Sequence, residues 1–190
     1  MNQRGFTLIE TFIAITVLLF AILGPMTLVS RSIADASYAA NQITAFYLAQ
    51  EGLELIINQR EQNENLSDDQ WLVNLDNCVI EVGGPEVVCK VYLDAESSQI
   101  VAESCPVEGC ERFVLDNEGR YTYDDLPGIV NPKQTLFSRK VSIRPLEPVL
   151  ITTSGGELDE LTIDAVVDVT VDWDDKGRNR SFTLSTLLTN

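Results

Sequence analysis

The chain has 190 residues, 29 acidic and 13 basic side chains, and a formal charge of −16. So acidic a surface repels phosphate backbones and anionic headgroups, so nucleic acid is not expected as a partner, and any hold on a membrane must be hydrophobic. The absence of histidine removes His-based nucleophile pairs and the commonest metal ligand. No enzyme activity, cofactor or metal site is expected.

Arg4 is the only charge before Glu10, and Thr11 to Ser30 carry none: TFIAITVLLFAILGPMTLVS. As a helix, a run of this length spans about 30 Å, the thickness of a bilayer core. A cleaved signal sequence has a shorter apolar core and a small-residue cleavage site after it. Here the chain continues in helical style, so the run reads as a retained anchor. Arg4 sets the extreme N-terminus on the cytoplasmic side and the bulk of the chain outside. Gly24-Pro25 interrupts the run as a kink or flexible point.

From Ile33 to about Arg60, Ala36, Ala39, Ile43, Phe46, Tyr47, Gln50, Leu53, Ile56 and Ile57 recur at three- and four-residue steps. This pattern predicts one stripe of an amphipathic helix laid on a soluble domain. Asp35, Asn41, Gln42, Glu51 and Glu54 mostly face elsewhere. The reading is one helix over about 6–60, with transmembrane (6–30) and amphipathic (31–60) halves, left through the polar stretch Glu61–Asp69.

Beyond it the period changes to two. Val79–Val82 and Val87–Leu93 flank Gly83-Gly84-Pro85 as a hairpin, and Arg112–Leu115 and Arg120–Tyr123 flank Asp116–Gly119 as another. Gln134–Arg144 reads as a strand. In the last pair, Val167, Val169, Val171 and Trp173 alternate with polar residues, as do Phe182, Leu184, Thr186 and Leu188. With Trp173 opposite Arg180, Val171 meets Phe182 and Val169 meets Leu184, and one face is apolar throughout. The fold class is therefore α+β: a long N-terminal helix whose second half covers an antiparallel β-rich domain over 61–190.

Four cysteines, Cys78, Cys89, Cys105 and Cys110, allow three pairings in an oxidising compartment. A two-residue turn at Gly83-Gly84 sets Cys78 opposite Cys89, although Pro85 weakens that register. Cys105 and Cys110 close a tight loop. A four-thiolate zinc site is the rival, but only Cys105 and Cys110 have pair spacing suited to it. The acidic loops Asp116-Asn117-Glu118 and Asp124-Asp125 lack calcium-loop spacing and read as solvated surface.

The heptapeptide Arg4-Gly5-Phe6-Thr7-Leu8-Ile9-Glu10, set directly before the apolar run, resembles the prepilin cleavage and N-methylation motif of type IV pilin-like proteins. Leu48–Glu54 and the segments Val169–Trp173 and Leu184–Leu187 are further similar to minor pilins and minor type II secretion pseudopilins. The resemblance implies a leader at residues 1–5, cleaved after Gly5 by a membrane prepilin peptidase, and methylation of the new amine on Phe6. It also implies that Glu10 pairs with the N-terminal amine of a neighbouring pilin or pseudopilin subunit during assembly. Gly5 lets a protease approach the scissile bond closely. A carboxylate inside a bilayer costs about 2.5–3.5 kcal/mol, so Glu10 needs a role. The expected localisation is the inner membrane, single-pass, and then a pilus or pseudopilus. The alternatives are a membrane-anchored extracytoplasmic binding module that never assembles and, with no residue constellation behind it, an anchored enzyme.

Overall fold

A computed structural model describes residues 7–63, 72–80, 84–94, 97, 99–106, 108–123, 129, 131–146, 150–152, 158–160 and 165–188. The chain forms two compact units, Met1–Asn41 and Gln42–Asn190. Helix α1, Leu8–Asn63, begins in the first and ends in the second. One long helix and an antiparallel seven-stranded sheet make this an α+β fold.

In the first unit the apolar run is helical and exposed all round. Leu8 (90%), Phe12 (69%) and Phe20 (78%) face outward, and none of the apolar window is buried. This is the one helix among the described residues long and apolar enough to cross a membrane. Its hydroxyls are spent locally. Thr11 donates to the Leu8 carbonyl and Thr16 to that of Ile13, both at 2.8 Å. Thr27 donates to the Gly24 carbonyl at 2.8 Å and Ser30 to that of Met26 at 3.0 Å. In hydrocarbon, where no water is available, such back-bonding leaves fewer polar groups unpaired. Pro25 lies inside the helix without ending it.

The second unit starts with the remainder of α1. Its buried positions are Ala45, Leu48, Ala49, Gly52, Ile56, Gln59 and Asn63. This corrects the expected stripe. Ile43, Phe46 and Tyr47 are 58%, 41% and 64% exposed, Gln50 is exposed, and Leu53 and Ile57 are only half-buried; of these expected positions only Ile56 is buried. The reason is spacing between backbones. Small residues let the helix lie close to the sheet, so the side with Ala45, Ala49 and Gly52 faces inward and the larger side chains face out. The helix also runs to Asn63, beyond the expected end. There Gln59 Nε2 donates to Asn63 Oδ1 at 3.0 Å, and Asn63 Nδ2 to the Val73 carbonyl at 2.9 Å.

The strands are β1 Cys89–Leu93, β2 Ile100–Ser104, β3 Arg112–Leu115, β4 Tyr121–Thr122, β5 Lys133–Pro145, β6 Leu150–Thr152, β7 Leu158–Glu160, β8 Ala165–Asp174 and β9 Asn179–Leu188. β5 is the spine. It pairs with β8 from Phe137↔Trp173 to Pro145↔Ala165, with β3, and with β1 at Cys89↔Val141. β2 extends β1, β4 extends β3 and β9 extends β8, while β6 and β7 form a separate two-stranded sheet. The β8–β9 register has Trp173 opposite Arg180, Val171 opposite Phe182 and Val169 opposite Leu184, as the alternation predicts. Ala165, Val167, Val169, Val171 and Trp173 are buried, beside Phe137, Val141 and Ile143 of β5.

Among the described residues one expected hairpin is not formed. Val79 makes an isolated parallel bridge to Ile143, the Ile80 N–H donates to the Ile143 carbonyl at 2.8 Å, and β1 turns instead to β2 through Leu93↔Ile100. Pro85 cannot donate in a ladder, which is consistent with β1 beginning only at Cys89. Glu81, Val82 and Gly83 lie outside the described residues, as do Asp124 and Asp125.

Candidate functional site

The head of α1 is the first candidate. Gly5 and Phe6 lie outside the described residues. Glu10 sits in the first turn of α1. Thr7 precedes the helix, and its carbonyl accepts from the N–H of Glu10 at 3.1 Å and of Thr11 at 3.2 Å. Its hydroxyl oxygen also accepts from the Glu10 N–H, at 3.4 Å. Thr7-Leu-Ile-Glu10 has the T-x-x-E spacing of a capping box, and its threonine half is made. Four N–H groups are orphaned at any helix start, and a carboxylate in the first turn is favoured by the helix dipole by about 0.3–1 kcal/mol. Sequence reading assigned Glu10 a task but missed Thr7, although the capping spacing was there to be seen. Glu10 is exposed, and among the described residues no cation stands within 4.0 Å of it.

The second constellation holds the rest of α1 to the sheet, and it too went unread. Along β5, Phe137, Arg139, Val141 and Ile143 share the inward face. Arg139 is 1% exposed. It donates from one terminal nitrogen to the Leu48 carbonyl of α1 at 2.9 Å and from the other to the Val91 carbonyl of β1 at 2.6 Å. Its guanidinium lies over the Phe113 ring, 5.0 Å from the centroid, and 3.6 Å from the half-exposed Glu51 carboxylate. One arginine thus ties α1, β1, β3 and β5 together. A buried guanidinium is tolerable only with such partners.

Gly52 makes room for it. A Cβ there would stand 2.8 Å from Arg139 Cδ and 3.1 Å from Val169 Cγ1. Leu48 and Gly52, read in the sequence only within the resemblance of Leu48–Glu54, and Glu51, expected to face elsewhere, thereby acquire a physical reason. The signal available beforehand was an arginine at an apolar parity position.

Beside this pin, Lys90 stands 3.1 Å from Glu103 and 3.3 Å from Glu111, and over the rings of Tyr92 and Tyr123 at 5.6 and 5.1 Å. Burial pushes the Tyr123 phenol above its ordinary value, against the lowering pull of Arg139 and Lys90. At the β3–β4 turn, N–H donation from Arg120, and then its side chain, hold the Asp116 carboxyl below the usual range.

Cys78 bonds to Cys89 and Cys105 to Cys110. Cys78 closes a 3-10 turn, Asp76–Cys78, rather than a hairpin strand. It reaches Cys89 because both flank β5: Val79 bridges Ile143 while Cys89 pairs with Val141. Cys78 and Cys89 are fully buried; Cys105 and Cys110 are half-buried. Among the described residues no three His, Cys, Asp or Glu side chains converge as a metal-holding group.

No family model, no curated protein and no solved structure matches the chain.

Proposed function

We propose that this chain is a type IV pilin-like subunit, a minor pilin or a pseudopilin, that is held in the inner membrane by the first half of α1 and then joins a filament. In this reading prepilin peptidase cuts between Gly5 and Phe6, and Phe6 is methylated. Its partners are lipid, the peptidase and neighbouring subunits, and it performs no catalysis. The observation that supports the reading is the conjunction at the head of α1. The Arg4–Glu10 motif stands directly before the apolar run of α1, in whose apolar window no residue is buried, while the same helix further on is buried against a sheet.

In the assembled core Glu10 takes the amine of Phe6 from a neighbour. Where water is scarce, a paired charge is strongly favoured over an unpaired one. The second reading is an anchored binding module that does not assemble. The helix start favours it to this extent: Glu10 lies in the first turn of α1, where the helix dipole favours a carboxylate without any neighbour. Glu10→Ala separates the two. A subunit keeps cleavage and membrane insertion but loses recovery in the sheared filament fraction relative to the membrane fraction. An unchanged ratio at equal expression leaves Glu10 a helix-terminal carboxylate and puts the binding module ahead.

A further inference from the structure

The sheet stops before the apolar face of the helix does. β9 is an edge: among the described residues it pairs with β8 alone. On the helix side of β8, Val167, Val169 and Val171 are buried, but their partners Thr186, Leu184 and Phe182 on β9 are only half-buried. Next to them stand the exposed Ile43, Phe46 and Tyr47 of α1. The Phe46 ring meets Phe182 edge-on at 5.8 Å. Gln42, Ile43, Phe46, Tyr47 and Phe182 line an open concavity of about 390 Å³.

Past Arg180 the β9 edge lacks the usual protection. Proteins blunt free edges with charges, prolines, bulges or brevity. β2 carries Glu103 and β4 has two residues. Ser181–Leu188 reads SFTLSTLL, with no charge, proline or glycine. At the head of β9, in a strongly acidic chain, Lys176, Arg178 and Arg180 fall within five positions, directly after Asp174 and Asp175. Lys176 and Arg178 are exposed, and Arg178 reaches Asp175 only at 3.8 Å.

We propose that the free edge of β9 and the Ile43–Phe46–Tyr47 shelf form one docking surface for an extended segment of another protein, apolar at alternate positions and acidic at the end beside Lys176 and Arg178. Its backbone continues the ladder past β9. Its alternate side chains fall on one face of the sheet, where they fill the concavity beside Phe182 and cover the shelf. Its carboxylate meets the basic turn. A second copy fits less well. Two β9 strands paired about a two-fold bring together two chains of −16 each, whose like charges repel. The surface stands independently of whether the chain joins a filament.

The test is amide hydrogen exchange on the full chain in neutral detergent. The probe is a ten-residue peptide of alternating valine and threonine ending in two aspartates. Expected is a slowing of outward β9 amides by at least about tenfold, absent with a scrambled peptide of the same composition and lost in Phe46→Lys, whose own exchange in β8 stays that of the parent. Equal slowing by a peptide ending in two lysines overturns the acidic end. Slowing that rises with chain concentration and needs no peptide makes a second copy the occupant and overturns the assignment. β9 amides that are already slow in the dilute chain, or indifferent to the peptide at millimolar concentration, overturn the surface.

Discussion

The two halves of α1 obey opposite rules. The first half is apolar all round, and no residue of its apolar window is buried. The second half is less apolar, yet it buries Ala45, Leu48, Ala49, Gly52, Ile56, Gln59 and Asn63. Hydrophobicity and burial within the protein are therefore different quantities here. The first half has the length and apolar composition needed to cross a membrane. The second half is chosen by fit: small side chains, a glycine and a buried arginine set how closely helix and sheet approach.

That comparison can be broken by cutting it. A chain beginning at about Ser67 loses the second half and bares the inward face of β5 and β8. Apolar patches well above a few hundred Å² drive association, so this fragment is expected to aggregate. A fragment beginning at about Arg31 keeps the cover and is expected to stay monomeric in size-exclusion chromatography. Equal solubility of the two would mean that the second half adds nothing to the sheet.

The next effect is at the pin. Arg139→Ala leaves the Leu48 and Val91 carbonyls without this donor and opens a void over Phe113. Each lost hydrogen bond to this charged group is worth about 1.5–3 kcal/mol, to be read from urea unfolding of the Arg31 fragment. Arg139→Met, which keeps the volume without the charge, is expected to cost clearly less. Gly52→Ala comes next. Alanine is favoured over glycine in a helix by about 1 kcal/mol, but its Cβ collides with Arg139 and Val169, and overpacking costs about 1–3 kcal/mol. Net destabilisation is expected, and a stabilised variant would show that α1 shifts freely. In Arg139→Met, the same Gly52→Ala change should cost less, because the two residues touch.

The disulfides rank by loop length and burial. On the chain-entropy view, the Cys78–Cys89 loop contributes about 3 kcal/mol and the Cys105–Cys110 loop about 2 kcal/mol. Under graded reductant, mass mapping should find Cys105–Cys110 opening first. The smallest effect is in pH. Tyr123 is raised in the folded chain by burial, so the unfolded chain loses that proton first. The contribution is present below the ordinary tyrosine value of about 10 and is lost as pH rises from there through the folded value. Tyr123→Phe should flatten that alkaline decline.

What was legible in the sequence was periodic. The apolar run, the β8–β9 register and the β3–β4 hairpin follow from alternation or its absence. The inward stripe of α1 was misread because Ile43, Phe46 and Tyr47 outweigh alanine and glycine on any hydrophobicity scale, whereas packing distance favours the small residues. Arg139 was missed because a charge at an apolar position counts against burial until its acceptors, which come from α1 and β1, are known. Strands β2 and β7 carry charges among few residues, and β6 has only three residues, so none of them gave a periodic signal. At the head of the chain, Glu10 was singled out while Thr7 was passed over, since a cap is local geometry and the resemblance drew attention to the carboxylate.

The central claim concerns that head. Intact mass and N-terminal analysis of the protein from a native host with an active prepilin peptidase tests it most directly. The account predicts a chain that begins at methylated Phe6. A chain that keeps Met1 and its first five residues would contradict it.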